Sequence, residues 1–458
     1  MLEKWFKLSE HKTTVKTEVL AGITTFMTMA YILAVNPGML GLVEGMSNES
    51  VFLATAISAA IGCFLMAFLA NYPFALAPGM GLNAYFTYTV CIGMGVPFQT
   101  VLLAIFVEGL IFILLSVTNV REAIFNAIPM TLKYAVSVGI GLFIAFIGLQ
   151  GADIIIKQDT TLVTYQHFAP EDFHTAGISA ILALIGTVIT AILAYKKVKG
   201  SILIGILFTW VLGMISEAAG LYIPVPEAGY NSVFPTLGLP DFGALGQTFG
   251  QCFQADFSSM KLLDFFVVMF AFLFVDMFDT LGTLIGVASK ADMLDDKGRL
   301  PKIRGALLAD AIATTFGAVL GTSTTTTFVE SASGVSEGGR TGLTAITTGF
   351  LFLLSILVAP VFLAIPGFAT APALIIVGFY MIGSVVKINF DDYAESIPAY
   401  LCILGMPFAY SISEGIAIGV ISYVIINMVT GKENRKKITP LMYVLAILFV
   451  LKYVFCST

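Results

Sequence analysis

The sequence predicts an all-α polytopic membrane protein of about fourteen transmembrane segments, built as two halves in inverted repeat. Three observations carry this. Apolar runs of about 17–23 residues recur along the whole chain, each long enough to cross the hydrocarbon core as a helix. The composition is 58% hydrophobic and only 11% charged, whereas a soluble domain carries roughly 25% charged residues. Finally, each half holds one apolar segment broken by Pro, Gly or a polar run at a corresponding place. The alternating segments of about ten residues that a membrane β-barrel needs are absent. A net charge of −6 says little about partners, but nothing in the chain forms a basic patch, so no nucleic-acid partner is expected.

In chain order, the first half reads as segments 19–40, 51–70, 71–93, 100–118, 132–149, 176–195 and 201–219. A polar-leaning stretch, 220–261, links it to the second half. That half reads as 263–288, 305–320, 321–342, 343–365, 372–386, 397–411, 415–429 and 441–455. The span 397–429 reads either as a full hairpin or as a re-entrant one, and 441–455 leaves the parity open.

Basic residues set the orientation. Lys4, Lys7, Lys12 and Lys16 put the N-terminal tail, 1–18, in the cytoplasm. Arg121 and Lys133, then Lys196, Lys197 and Lys199, then Lys290, Lys297, Arg299, Lys302 and Arg304 fall on loops expected inside. Loop 150–175, with Asp153, Asp159, Glu171 and Asp172, falls outside, as does Glu44. The tail has no apolar h-region after a short basic start, so it does not read as a signal peptide. The expected location is the plasma or inner membrane.

The broken segments are the informative ones. Residues 322–342, TSTTTTFVESASGVSEGGRTG, form a polar stretch between two apolar runs. β-Branched Thr favours extended backbone. Ser and Gly then suit a helix start with open N–H groups, so a short extended piece followed by a half-helix from about Glu330 is expected. Such backbone is tolerated at membrane depth only where protein buries it or it lines a cavity. The competing reading is an external loop between two helices. In the first half, NYPFALAPGMGLNAYFTY, 71–88, is interrupted by Pro73 and Pro78, with Gly79 and Gly81 following. The two broken segments run in opposite directions across the membrane, which points to a central site.

Three constellations carry candidate chemistry. Asp276 and Asp279 lie three apart in the apolar run FVDMFDTLGTL, roughly on one face with Thr280. Carboxylates inside a bilayer are costly and read as functional, and two so close do not both ionise easily, making the pair a candidate proton acceptor or polar ligand site. Glu330 stands at the half-helix start, either accepting hydrogen bonds from a ligand or capping its own helix. Asn83, within PGMGLNAY, offers both donors and acceptors, for a ligand or for a neighbouring helix. Glu108 is a further acid in mid-segment, while Glu337 and Arg340 belong nearer the cytoplasmic mouth. A neutral planar ligand with N–H donors and ring-nitrogen acceptors suits this set. Phe74, Phe86, Phe278 and Phe328 lie near the breaks as stacking or packing groups. Neither metal nor cofactor is expected: His11, His167 and His174 sit in the tail and one loop. Cys63, Cys91, Cys252, Cys402 and Cys456 lack metal spacing.

TTFMTMAYILAVNPGML (24–40), APGMGLNAYF (77–86), FVDMFDTLGTL (274–284) and the 322–342 stretch together resemble the AzgA-like purine permeases. These belong to the nucleobase–cation symporter 2 (nucleobase–ascorbate transporter) superfamily. The resemblance covers nearly the whole chain, and 322–342 is its most specific part. The QN-x-G motif of the uracil and xanthine branch is absent, which favours the adenine, guanine and hypoxanthine branch.

The resemblance implies a seven-plus-seven inverted repeat with a core domain, 19–119 and 262–366, and a gate domain, 120–219 and 367–458. It implies substrate between broken segments 3 and 10, with Asn83, Asp276 and Glu330 as substrate-binding positions. Thr327, Phe328 and Ser331 flank Glu330 and are expected as further contacts. Asp279, with Asp276, is implied in proton coupling, and a homodimer through the gate domains is implied as the assembly. The expected activity is proton-coupled import of a purine nucleobase across the lipid bilayer. Two rivals stand beside it: an anion transporter of the same fold, which three acids disfavour, and an intramembrane aspartyl protease. For the protease, the GxGD signature is absent and both aspartates share one helix.

Overall fold

The computed structural model describes residues 2–118, 128–169, 172–235, 238, 240–257, 261–290, 293 and 300–455. Arg121, Glu171, Lys297, Arg299 and Cys456 lie outside the described residues, as do the side chains of Phe278 and Lys290. The chain is a helical membrane protein. Among the described residues, ten helices are long and apolar enough to cross a bilayer unaided; the expected count of about fourteen goes beyond these.

The first half runs α1 (Leu2–Phe6), α2 (Val15–Met29), α3 (Ile32–Leu40), α4 (Asn48–Leu69), β1 (Leu76–Pro78), α5 (Met80–Ala84), α6 (Phe98–Thr118), α7 (Met130–Gly151), β2 (Ile155–Gln158), β3 (Leu162–Tyr165), α8 (Ile178–Tyr195) and α9 (Ser201–Ala218). After a linker with short 3₁₀ turns, the second half runs α10 (Leu262–Lys290), α11 (Ile303–Leu320), β4 (Thr325–Thr327), α12 (Ser331–Ser336), α13 (Gly342–Ser355), α14 (Ala359–Leu363), α15 (Gly367–Ile382), α16 (Tyr393–Phe408), α17 (Ile412–Val429), α18 (Lys432–Lys437) and α19 (Pro440–Phe455).

Local sequence explains the element boundaries. Thr14, Ser47 and Thr341 cap α2, α4 and α13, each accepting a backbone N–H of the first turn. Gly321, at φ +96°, ends α11 in the left-handed region, its N–H closing on Gly317 O at 2.9 Å. Beyond α5 the helix widens into a π-helical stretch, Tyr85–Gly93, of a kind often found beside functional sites. In 397–429 the chain forms a hairpin: α16 and α17 pack along each other around a tight turn at Ala409–Ser411. One departure from the all-α expectation lies in loop 150–175. Residues 155–165 form an antiparallel hairpin, where β-branched Ile and Val flank a polar Asp159–Thr161 turn.

The helices pack in two sets. In one, α4 lies against α11 and α13, α6 against α10 and α11, and α2 against α12 and α13. In the other, α7 lies against α15 and α16, α8 against α9 and α15, and α16 against α17. The first set encloses both broken segments. Glu18, fully buried at the start of α2, binds the far repeat. Its carboxylate accepts the N–H groups of Arg340 and Thr341 at 2.9 and 3.2 Å and the Thr344 hydroxyl at 2.6 Å, at the positive end of α13.

In the second set α7 and α15 touch backbone to backbone. A Cβ on Gly141 would sit 2.7 Å from both Gly378 O and Met381 Cβ. Without a hydrophobic drive between helices in lipid, such close approach supplies the packing. Gly141→Val is therefore expected to destabilise the protein by about 1–3 kcal/mol. The check is a lower apparent unfolding temperature in a thermal scan of the detergent-purified protein.

Candidate functional site

Two extended strands meet inside the membrane-spanning bundle. β1 and β4 pair antiparallel, Leu76 opposite Thr327, Ala77 opposite Thr326 and Pro78 opposite Thr325. The ladder continues at both ends, with Gly79 N donating to Thr324 O and Phe328 N to Ala75 O, each at 3.0 Å. Pro78 has no N–H to offer and is tolerated in so short a strand. Every residue from Thr322 to Phe328 is buried, so the external-loop reading of this stretch does not hold.

The hydroxyls of the Ser/Thr run tie the strand to helices on several sides. Asn36 of α3 donates to Thr322 Oγ1 at 3.1 Å and to Thr55 of α4 at 2.6 Å. Ser323 donates to Asn83 Oδ1 on α5, and Thr324 to Glu108 Oε2 on α6 at 3.0 Å. Thr325 and Ser58 of α4 share a hydrogen bond at 2.6 Å, and Thr326 donates to Asp279 Oδ2 on α10 at 3.3 Å. The Thr327 hydroxyl and the Asn83 amide nitrogen are buried without a hydrogen-bond partner among the described residues.

The acids reach this crossing by different routes. Asp276 turns toward α11, its Oδ1 2.9 Å from the Thr280 hydroxyl, which lies equally 2.9 Å from Asp310 Oδ1. Asp279 instead faces β4, and a Cβ on Gly79 would come within 3.6 Å of its Oδ2. Glu330 precedes α12 and makes no capping hydrogen bond with its side chain. Its Oε1 accepts the Tyr31 hydroxyl at 2.7 Å. The capping reading of Glu330 thus gives way to a side chain directed into the protein.

Around the crossing lie Asn83, Asp279, Thr327, Phe328, Glu330 and Ser331, with Asp276 one helical turn along α10 from Asp279. Ser331 holds the architecture in place, since its Oγ accepts Ala75 N–H at 3.0 Å and ties α12 to β1. Phe74 and Phe86 are fully buried, and Phe74 stacks on Tyr72 at 5.1 Å between ring centroids. Phe328 is 7% exposed. Glu337 pairs with Lys199 of the α8–α9 turn, and Arg340 donates to Val335 O and Gly339 O.

Asp310 and Tyr31 belong to the cluster, and sequence reasoning does not single them out. Asp310 has a signal, a lone acid in the apolar run ALLADAIATTFG; Tyr31 has none beyond its place between α2 and α3. The crossing also faces the second set of helices. A Cβ on Gly81, in the first turn of α5, would lie 2.9 Å from Ile140 of α7 and 3.6 Å from Ile412 of α17.

Residues 16–418 match the model of the Permease family, Xan_ur_permease. This chain belongs to that family. Close relatives share its whole length. It is 40% identical to the adenine permease AdeP of Escherichia coli K12, over 99% of this chain and 96% of that protein. It is 43% identical to the guanine/hypoxanthine permease PbuG of Bacillus subtilis, over 99% of this chain and 100% of that protein. Among solved structures, the transmembrane domain of the cyanobacterial bicarbonate transporter BicA aligns with a TM-score of 0.62 at 15% identity, covering 88% of this chain and 97% of that one. That likeness shows the fold alone. The permease is a transporter, not an enzyme, and the protease reading falls.

The Thr280 bridge gives a direct test in this permease. Thr280→Val keeps the shape but leaves two carboxyls facing each other without the hydroxyl between them. A loss of about 1–3 kcal/mol in stability is expected. Thr280→Ser should restore most of it, as read from the apparent unfolding temperatures of the purified variants.

Proposed function

We propose that this permease imports purine nucleobases, adenine, guanine or hypoxanthine, together with a proton. The observation that carries the reading is the crossing of β1 and β4. It gathers acids, an amide with unpartnered donors and two half-helix starts at one buried place facing the second set of helices. A purine offers N–H groups and ring-nitrogen acceptors on one planar edge. Asp276 and Glu330 accept from its N–H groups, and Asn83 donates to a ring nitrogen. The Thr327 hydroxyl adds a donor, and Phe328 an aromatic face. The adenine and guanine/hypoxanthine permeases, at 40% and 43% identity, support the same class of substrate.

The two packing sets act as a core, 19–119 and 262–366, and a gate, 120–219 and 367–458, and the core moves against the gate to expose the site alternately. The N-terminus lies in the cytoplasm of a cell-membrane protein, and the gates pair two copies. A proton on the Asp276–Asp279 region lowers the cost of holding several carboxylates in a dry site and permits the loaded core to move. Coupling then arises because base and proton together favour the moving state more than either alone. The anion-transporter alternative has the fold on its side, yet acids at the crossing repel anions.

Two measurements test the proposal. Proteoliposomes should accumulate radiolabelled adenine or hypoxanthine only under an inward proton gradient, with competition by other purines; uptake of sulfate or uracil instead would overturn it. Asp279→Asn should keep base binding within about threefold while abolishing gradient-driven accumulation. Accumulation at the original level would remove Asp279 from the coupling step.

A further inference from the structure

We infer that Tyr31 is a positioning residue for the substrate, acting through Glu330. The inference rests on Glu330 being a substrate-binding acid. Tyr31 sits where the first crossing breaks between α2 and α3, and it is 1% exposed. Its hydroxyl donates to Glu330 Oε1 at 2.7 Å across 299 residues of sequence. A phenol donates one hydrogen, and this one goes to a carboxylate, the stronger class of hydrogen bond.

The consequence lies in which oxygen remains. Glu330 lies three residues past β4, and its side chain makes no capping hydrogen bond to α12. The terminal torsion of a glutamate is broad and roughly two-fold, so an untethered carboxylate samples many orientations. Tyr31 holds Oε1, so the direction in which Oε2 meets the N–H of a base is set by that tether. The tether is also a link between repeats, since Tyr31 belongs to the first half and Glu330 to the second. Segment 1 therefore sets the aim of an acid on segment 10.

A residue that acts by orienting another has a signature in a double-mutant cycle. The probe is radiolabelled hypoxanthine, with adenine as a second, in proteoliposomes containing the full chain. Tyr31→Phe is expected to raise the half-saturation concentration about tenfold with little change in maximal rate. In a Glu330→Gln background, the same substitution should change it less than about twofold, because the group being aimed is altered.

An equal change in both backgrounds would mean that Tyr31 merely supports the fold, and would overturn the inference. If Glu330→Gln alone left the half-saturation concentration unchanged, the substrate-binding reading of Glu330 would fail first, and the inference with it. Thermal scans establish that each variant is folded. Should Tyr31→Phe not fold, 3-fluorotyrosine at position 31 keeps the shape and alters the donor. A shift in half-saturation that requires Glu330 supports the inference; a shift independent of Glu330 overturns it.

Discussion

Backbone that is neither helix nor closed sheet has no place in a bilayer unless every polar group on it finds a partner within the protein. Residues 322–328 are built around that constraint. Main-chain groups are taken by the short antiparallel ladder with β1 and its extensions at Gly79 and Phe328. Side chains are taken one at a time by α3, α4, α5, α6 and α10. This explains a composition that otherwise looks strange in a membrane chain. A run of Thr is an extended-backbone former that carries a donor on every residue. Leu or Val in its place would leave Glu108, Asn83 and Asp279 without the hydroxyls that meet them.

The same scaffold sorts the acids. Glu18 and Glu108 are fully buried and hold structure together, Glu18 at the start of α13 and Glu108 on the strand. Asp276 and Asp310 meet at one hydroxyl, that of Thr280, each at 2.9 Å. Asp279 meets the middle of β4 through the Thr326 hydroxyl, and Glu330, three residues past the strand, is held by Tyr31. Residues of one chemical type thus have different roles, set by what surrounds them and not by their position in a motif.

Much of this is legible in the chain. Broken segments betray themselves because Pro, Gly and a polar run have no other reason to interrupt apolar spans. An acid in a span reads as functional because its desolvation is costly. What sequence does not show is partnership. Asp276 and Asp279 share a helix face in a spacing argument, yet one turns to α11 and the other to β4, a choice made by Thr280, Asp310 and Thr326. Ser331, expected as a substrate contact, bonds Ala75 of the other repeat. Tyr31 sits in an apolar run where a tyrosine signals nothing until Glu330, from the far half, is placed beside it. The hairpin at 155–165 escapes sequence reading because a short stretch with Ile, Val and Thr inside a polar loop gives too few residues for periodicity to work on.

The ties also decide what can move together. Nearly every hydrogen bond named at the crossing joins elements of one packing set, so strand, half-helices and acids form a unit bridging both repeats. Toward the other set the described contacts are mixed, and they include one hydrogen bond, from the Thr89 hydroxyl to Tyr410 O at 3.1 Å. Ile140 and Ile412 lie against Gly81, and Lys199 reaches Glu337 at the rim. Apolar side chains slide past a glycine with little change in energy, because dispersion contacts are individually weak and replaceable. A solvent-exposed ion pair contributes little and re-forms readily. Hydrogen bonds buried in a dry site are costly to break. In the proposed cycle, therefore, the yielding surface is the one between the sets. The site keeps its geometry as it moves, and a bound base experiences a change of access without a change of partners.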